Sequence, residues 1–316
     1  MKVKANEIPV LDLASWLHGG NPESLVRQLR EACLNIGFFY VAGHGVAPAV
    51  IENLEDEMKH YFSLPESYRL ADRVDERFRR GYMPFGMSKQ KDFDPDLKES
   101  FDFGVDLPLS DPDVEMHRPL HGPNRWPVHQ TTLKSAAETY FEQTSILGRN
   151  LTRLFALALG KEEDFFLKHF TKPMVQTRLI HYPSQEQENS RHLGAAPHTD
   201  YGFLTLLIQD PIGGLELKTR SGDWIAAPYI PGTYVINLGD MFKVWTNDLF
   251  VSNLHRVINT TGRERFSIPT FFNPNFDTPV ACLDTCRSTD NPERYPPILA
   301  GEYLTQRFRD IQGYRG

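Results

Sequence analysis

The sequence predicts an α+β fold with a mainly β core, either a β-sandwich or a jelly roll (a double-stranded β-helix). Short strand-like runs follow one another through residues 175–272, and turn signals such as Asp210-Pro211 and Pro231-Gly232 separate them. A long helical pattern at 131–159 precedes these runs, and two shorter helical patterns lie near the N-terminus.

The two N-terminal helices carry start signals and apolar faces. Asn21 stands before Pro22, which is the arrangement of an N-cap followed by proline at the first helical position. A second helix is expected to begin at Pro48. The residues predicted to pack inward at helical spacing are Leu25, Leu29, Ala32, Cys33 and Ile36 in the first helix and Ile51, Leu54, Met58, Tyr61 and Phe62 in the second.

The rest of the chain completes one predicted domain. Residues 64–126 lack a sustained period, so we expect loops and short strands there, a length typical of a lid or of binding loops. The helix at 131–159 should support the sheet, and 303–311 should form a closing helix. The predicted domain thus consists of N-terminal helices and loops (1–126), a helix plus the β core (127–290) and a C-terminal helix (291–316).

Composition and charge indicate a globular protein that does not bind nucleic acid. A hydrophobic content of 40% is ordinary for a globular protein with a sizeable core. A net charge of −7 argues against a nucleic-acid partner, which would require a basic stripe. Arginines between Arg73 and Arg80 alternate with Asp75 and Glu76, which indicates a solvated face of mixed charge.

Neither a membrane nor an oxidising compartment is indicated. The sequence begins without an apolar run of signal-peptide length, and nowhere do 18 apolar residues stand together. Cys33, Cys282 and Cys286 form no CxxC pair, so we expect thiols and a cytoplasmic protein rather than a zinc finger, with a bridge between Cys282 and Cys286 as the alternative.

The most informative motif is His198-Thr199-Asp200, with His255 downstream. If the motif is a strand, His198 and Asp200 project to one face and can share one metal ion. A second short strand around His255 could supply a third ligand. Two imidazoles and one carboxylate on one side of an ion leave coordination positions open, as at non-haem ferrous iron.

An anion site is predicted next to this triad. His255 and Arg265 flank a turn-like stretch, so we expect them on the two arms of one hairpin. Arg265 and Ser267 share a strand face, and a guanidinium with a hydroxyl binds a carboxylate well. Metal on one arm and anion on the other suggest a chelating dicarboxylate between them.

These motifs resemble the isopenicillin N synthase-like family of iron(II) and 2-oxoglutarate-dependent dioxygenases over nearly the whole chain. The segments that carry the resemblance are Ile8–Leu13, Gly37–Gly45, Asp96–Glu99, Arg178–Pro183, Gly194–Gly202, Asn237–Asp240, His255–Val257 and Arg265–Ser267. The resemblance implies a jelly-roll enzyme that oxidises a small molecule by hydroxylation, desaturation or ring closure, and that releases succinate and CO2. It implies Fe(II), 2-oxoglutarate and O2 as reactants, with ascorbate as a candidate reductant.

Carried over residue by residue, the resemblance makes His198, Asp200 and His255 the iron ligands. Arg265 and Ser267 then bind the distal carboxylate of 2-oxoglutarate, assisted by Tyr182. Ile180 stands where plant members have Asn, and Arg178 on the same strand face is similar to ethylene-forming members. Three alternatives remain: an oxidase of the same fold that uses no 2-oxoglutarate, an ethylene-forming enzyme, and a non-catalytic binding or sensor protein.

A second group of residues is predicted to line the substrate pocket. Sequence position makes Tyr201, Trp245, Phe271 and Asn273 candidates, with an ordinary core role as the alternative for each. The resemblance adds Tyr82 and Phe101 as residues that cap the pocket. His181 should face away from Tyr182, as a core residue or behind the site.

Overall fold

The computed structural model describes residues 8–75, 77–87, 93–185, 193–259 and 261–310. Its strands, in chain order, are β1 (Val10–Asp12), β2 (Phe38–Ala42), β3 (Gly81–Met83), β4 (Glu99–Gly104), β5 (Pro173–Tyr182), β6 (Ala195–His198), β7 (Leu204–Gln209), β8 (Leu215–Lys218), β9 (Trp224–Ala226), β10 (Tyr234–Leu238), β11 (His255–Val257), β12 (Arg265–Asn275), β13 (Pro279–Val280) and β14 (Ile298–Leu299). Its α-helices are α1 (Ala14–Leu17), α2 (Glu23–Asn35), α3 (Pro48–Ser63), α4 (Glu66–Ala71), α5 (Pro112–Glu115), α6 (Thr132–Ala158), α7 (Asp240–Trp245) and α8 (Ala300–Asp310).

Two sheets form the β core. The larger has eight strands in the order β1-β2-β10-β7-β12-β5-β4-β3, and the smaller has four in the order β6-β11-β8-β9. Neighbouring strands are antiparallel except for β1 and β2. Ile180 and Tyr182 of β5 share one buried cluster with Leu215 and Leu217 of β8, so the two sheets face each other across an interior. We call the face of the large sheet that looks into this interior the inner face.

Helices cover the opposite, outer face of the large sheet. Helix α6 lies along it and packs against both α2 and α3. Gly148 of α6 lies so close to Phe272 of β12 that an added Cβ would stand 2.6 Å from that ring. The predicted inward faces are confirmed for the residues that are buried, among them Leu29 of α2 and Leu54 of α3; Ile36 lies just beyond the end of α2 and, like Ile51, is partly buried. The predicted closing helix is α8, and only the last predicted residue, Ile311, lies outside the described residues.

The described part of the region 64–126 contains helices as well as the expected loops and short strands. It supplies α4, α5, β3 and β4, and every residue of β4 is buried beside β5. The interpretation of 73–80 as a solvated face is wrong for Arg80, which is fully buried and donates to the carbonyls of Phe78 and Leu120. Glu76, part of the same interpretation, lies outside the described residues. N-terminal strands are therefore integral to the large sheet.

Two further expectations concern membranes and thiols. Among the described residues, none of the helices combines the length and the apolar character needed to cross a bilayer. Cys33, Cys282 and Cys286 are free thiols, as predicted.

Candidate metal centre and anion clamp

The three predicted metal ligands come together from two strands and a turn. His198 is the last residue of β6 and lies directly opposite His255 of β11. Asp200 follows the strand, in the turn where the chain crosses from the small sheet to β7 in the large one. The prediction that His198 and Asp200 lie on one continuous strand is therefore wrong, although the turn still brings the carboxylate to the imidazoles.

The geometry of the triad leaves one lone pair on each residue for an ion. Nε2 of His198 and Nε2 of His255 each lie 3.9 Å from Oδ1 of Asp200. All three atoms lie within 4.8 Å of one another. The side chains of His255 and Asp200 are about one-tenth exposed, whereas that of His198 is 24% exposed. The site is thus buried on two sides and open on the side of His198.

Hydrogen bonds orient each ligand. Nδ1 of His198 donates to the Ala196 carbonyl at 2.7 Å, and Nδ1 of His255 donates to the Asn253 carbonyl at 3.2 Å. This tautomer leaves both Nε2 atoms unprotonated, because a neutral imidazole carries a single ring proton. Oδ2 of Asp200 accepts from the Thr205 hydroxyl and, at 2.6 Å, from the Asn237 amide, so Oδ1 remains for the ion.

The electrostatics favour the protonation states that a metal needs. Burial, together with the neighbouring His255, holds the pKa of His198 well below its usual range. Burial alone would raise the pKa of Asp200, but the two imidazoles and the hydrogen bonds to its carboxylate outweigh burial, and this pKa is lowered. A neutral imidazole and an ionised carboxylate result, and this donor set of two nitrogens and one oxygen fits ferrous iron.

Arg265 forms a pre-oriented anion site in the same interior. It is 1% exposed and lies opposite Tyr182, with its guanidinium carbon 4.6 Å from the centre of the Tyr182 ring. Its Nε donates to the Gly213 carbonyl, and its Nη1 donates to the Ser267 hydroxyl at 3.2 Å. Because the Ser267 oxygen accepts this bond, its own proton is available to a bound carboxylate. We refer to Arg265, Ser267 and Tyr182 as the anion clamp.

The triad and the clamp lie on different sheets. Strand β11, which carries His255, pairs with β6 and β8, whereas β12, which carries Arg265, pairs with β5 and β7. The predicted hairpin is therefore wrong: the chain crosses between the sheets after β11 instead of turning back along it. Since His255 lies opposite Leu217 in register, both the triad and the clamp face the interior.

Arg178 lies on the inner face, as the strand alternation predicted, but it has a partner that the sequence did not indicate. Its Nε and Nη2 each donate to Asp102 of β4 at 2.7 Å, and Asp102 is fully buried. Coulomb attraction to this carboxylate outweighs burial and raises the pKa of Arg178. The guanidinium is thereby fixed and charged at the wall of the interior.

Three of the predicted pocket residues lie close to these groups. Phe271 lies opposite Thr205 on the inner face, and its ring centre is 6.0 Å from the guanidinium carbon of Arg178. Tyr201 directly follows Asp200 and is partly exposed. Asn273 is buried, and its side-chain oxygen accepts the Phe203 N–H at 2.9 Å, so it braces the turn after the triad.

Three other residues predicted for the pocket have side chains that face the helices and not the triad. Phe101 lies opposite Leu179 on the outer face and packs against Tyr61. Tyr82, opposite Phe101, donates its hydroxyl to Glu99 on that same face. Trp245 packs against Phe166 in the outer aromatic core, with the two ring centres 5.1 Å apart.

His181 lies where the alternation predicted, on the face opposite to Tyr182. Its Nδ1 donates to Glu99 at 2.7 Å, and its ring stacks on Phe266. Three further residues support the site without being predicted from the sequence. Asn237 and Thr205 donate to the carboxylate of Asp200, and Asp102 accepts from Arg178. For Asn237 the sequence holds a signal, because this residue opens the motif Asn237–Asp240.

Two family models match the chain. One, described as non-haem dioxygenase in morphine synthesis N-terminal, matches residues 8–129, and the other, described as 2OG-Fe(II) oxygenase superfamily, matches residues 173–274. Among curated proteins, the 2-oxoglutarate-Fe(II) type oxidoreductase hxnY of Emericella nidulans is 34% identical, covering 96% of this chain and 90% of its own length. Homoarginine-6-hydroxylase 2-ODD-233 of Oryza sativa subsp. japonica is 36% identical, with coverages of 95% and 96%.

Solved structures agree with these matches. A full-length protein of Neurospora crassa, in complex with alpha-KG and thymine, superposes with a TM-score of 0.83 at 29% identity and covers 95% of this chain and 96% of its own. A 2OG-Fe(II) oxygenase family protein from Caulobacter crescentus gives a TM-score of 0.87 at 30% identity, with coverages of 96% and 99%. The jelly-roll fold, the iron-type triad and relatives of nearly equal length lead to one conclusion: the chain belongs to the isopenicillin N synthase-like family of iron(II)- and 2-oxoglutarate-dependent dioxygenases, enzymes that act on small molecules.

Proposed function

We propose that His198, Asp200 and His255 bind the ferrous iron and that the anion clamp holds the distal carboxylate of 2-oxoglutarate. We further propose that the enzyme oxidises a C–H bond of a small molecule and releases succinate and CO2. One observation carries the proposal: three oriented ligand atoms and a buried, charged guanidinium face the same interior from opposite sheets.

Bound iron would supply the oxygen-activating chemistry, while the chain's own residues prepare the site. His198 and His255 present unprotonated Nε2 atoms, because each Nδ1 proton is engaged by a backbone carbonyl. Asp200 presents one oxygen, because Thr205 and Asn237 occupy the other. An ion can therefore bind without first displacing a proton or reorienting a side chain, which favours affinity.

The clamp is suited to a carboxylate because its charge and direction are both fixed. Gly213 and Ser267 each accept one N–H of Arg265, so the guanidinium cannot rotate freely. Hydrogen bonds between ionised groups are stronger in a buried site than in water. These two conditions support the assignment of 2-oxoglutarate as the cosubstrate at this position.

The proposed substrate wall lies beside the triad and is formed by Arg178 and Phe271 of the inner face together with Tyr201, which follows Asp200. Arg178 commits Nε and Nη2 to Asp102, which leaves Nη1 for the metal-bound end of the cosubstrate or for a polar group of the substrate. Phe271 and Tyr201 offer partly exposed aromatic surface. The name of the homoarginine-6-hydroxylase relative supports hydroxylation as the first outcome to test, before desaturation and ring closure.

We also propose that residues 1–316 work as a single oxygenase unit in the cytoplasm. Strands β1 to β4 belong to the sheet that carries the clamp, which supports one unit. The three free thiols support a reducing compartment.

The test is a turnover screen. Purified protein is loaded with ferrous iron and supplied with 2-oxoglutarate, O2 and ascorbate, and a metabolite library is scanned for succinate formation against substrate loss. Coupled formation of succinate and oxidised product, absent in His255→Ala, is expected. Substrate oxidation without succinate would support the oxidase alternative, and consumption of 2-oxoglutarate with ethylene release would support the ethylene-forming type. Iron-independent binding without any turnover would overturn the proposal in favour of a sensor.

A further inference from the structure

The segment that carries two of the proposed metal ligands is held from behind by α7. Thr199 lies between His198 and Asp200, and its hydroxyl donates to Oδ2 of Asp240 at 2.9 Å. The backbone N–H of Asp240 donates to the Asp200 carbonyl at 2.7 Å. Asp240 therefore forms hydrogen bonds to the segment 198–200 with both its side chain and its backbone.

The C-terminal helix α8 reaches the same carboxylate. Nη2 of Arg307 donates to Oδ2 of Asp240 at 3.0 Å, so Arg307 and Thr199 meet on one oxygen atom. The guanidinium carbon of Arg307 also lies 4.5 Å from the centre of the Tyr201 ring, the residue that follows Asp200. Arg307 of α8 thus contacts Tyr201 directly and reaches Thr199, on the other side of Asp200, through the carboxylate of Asp240.

Helix α8 is anchored at both ends, so Arg307 acts from a fixed base. At its beginning Ala300 and Leu304 are buried, and Gly301 lies so close to the Phe276 ring that no space remains for a Cβ. Near its end the Phe308 ring packs under the guanidinium of Arg79 at 4.5 Å. Because α8 is held at both ends, Arg307 can keep the carboxylate of Asp240 in place next to Thr199.

We propose that Arg307 is a positioning residue of the metal centre, acting through Asp240 and Thr199 to hold the segment 198–200 in its ligand geometry. This inference rests on the proposed function, since it assigns Arg307 a role at the iron site. Arg307 contacts neither iron nor substrate in this role. Partners behind metal ligands commonly change metal affinity by about 10- to 100-fold, and Arg307 stands one contact further back.

The test compares ferrous iron affinity among variants by anaerobic calorimetric titration of the metal-free protein. Arg307→Gln should lower the affinity by about 3- to 10-fold. Thr199→Val, which removes the hydroxyl that donates to Asp240, should lower it by about tenfold or more. Arg307→Lys should recover part of the loss, because it keeps the charge toward Asp240. Arg309→Gln is the matched control, because Arg309 is exposed on the same helix and should leave affinity unchanged within about twofold.

A double variant decides whether the effect passes through Asp240. If it does, Arg307→Gln should add little to the loss already caused by Thr199→Val, because both remove the same support. A stability defect alone would lower the melting temperature without this non-additive pattern. Equal iron affinity in Arg307→Gln and Arg309→Gln, or fully additive losses, would overturn the inference. Should Arg307→Gln fail to fold, the comparison of Arg307→Lys with wild type serves in its place.

A metal-free readout separates this inference from the proposed function. The amides of Asp240 and Met241 donate to the carbonyls of Asp200 and Tyr201, and their hydrogen exchange reports on how firmly the segment is held. Faster exchange at both amides is expected in Arg307→Gln and not in Arg309→Gln. Unchanged exchange would contradict the positioning role. Failure of wild type and Arg309→Gln to bind iron would instead contradict the proposed function alone.

Discussion

Arg265 and Tyr182 lie directly opposite each other on β12 and β5, with the guanidinium carbon 4.6 Å from the centre of the phenol ring. The ring covers one face of the guanidinium and limits the directions in which it can bind an anion. A planar donor held in this way selects a carboxylate by geometry as well as by charge.

Replacing this group by Arg265→Lys should therefore weaken 2-oxoglutarate binding far more than iron binding. Lys keeps the charge and loses the two-pronged geometry, and a loss of about 1.5 to 3 kcal/mol corresponds to roughly 10- to 150-fold in affinity. Ser267→Ala should cost about tenfold or less, since water can replace one hydroxyl. Anaerobic titration of 2-oxoglutarate into the iron-loaded variants measures both. Unchanged 2-oxoglutarate affinity, with substrate affinity reduced instead, would indicate that Arg265 holds the substrate.

Iron should raise the melting temperature of the wild-type protein. A ligand at about 100 times its Kd adds about 2.7 kcal/mol of stability, which for a chain of this size corresponds to a rise of roughly 4 °C. His255→Ala should abolish most of this shift, because only two ligands remain. Scanning calorimetry with and without ferrous iron under anaerobic conditions checks the expectation. An equal shift in His255→Ala would show that the iron binds elsewhere.

Asp102→Asn should destabilise the protein strongly because it leaves the charge of Arg178 without its buried partner. Removing one member of a buried ion pair typically costs about 3 to 5 kcal/mol. The control is Asp277→Asn, which breaks the pair between Arg118 and an Asp277 side chain that is 59% exposed; it should cost about 1 kcal/mol or less. Urea unfolding of the two variants measures the difference. Similar midpoints would mean that Arg178 finds other partners.

Stability should fall as the pH drops below the usual histidine value, in part because of His44. Burial against Tyr234 lowers the pKa of His44, and its Nδ1 accepts the Val46 N–H, a bond that protonation would break. The unfolded chain therefore takes up this proton first: the contribution is complete above about pH 6.5 and is lost as the pH falls toward the folded pKa. Urea midpoints at about pH 7.5 and about pH 5.5, on either side of the usual histidine pKa, should differ less in His44→Gln than in wild type. An undiminished difference in the variant would assign the pH dependence to other groups.

Periodicity predicted α2, α3 and α6 because a helix on a sheet buries one apolar face, and the residues of that face recur at a regular spacing in the sequence. It also placed Arg178 and Tyr182 on one strand face, since alternation is a local property. The predictions that failed concern which strands and helices pack together, which depends on residues far apart in the sequence. Turn signals after His255 show that the chain changes direction, but they do not show which sheet receives the next strand.

The same limit explains the misplaced aromatic residues. Alternation shows that Phe101 and Asp102 point to opposite sides of β4, but only packing, here of Phe101 against Tyr61 of α3, decides which side is the interior. For the same reason the sequence does not identify Asp102 as the partner of Arg178, which is separated from it by 76 positions in the chain.

Because β4 lies beside β5 in the large sheet, both matched segments contribute residues around the site. The segment matched by the second family model carries the triad and the clamp, whereas the carboxylate that fixes Arg178 comes from the segment matched by the first. Sequence changes around Asp102 in the first segment can therefore alter how Arg178 is held in the proposed substrate wall, while the triad and the clamp in the second segment stay unchanged. A chimaera that receives residues 8–129 from a relative should therefore still bind iron, and its substrate selectivity should change only as far as the contact to Arg178 changes.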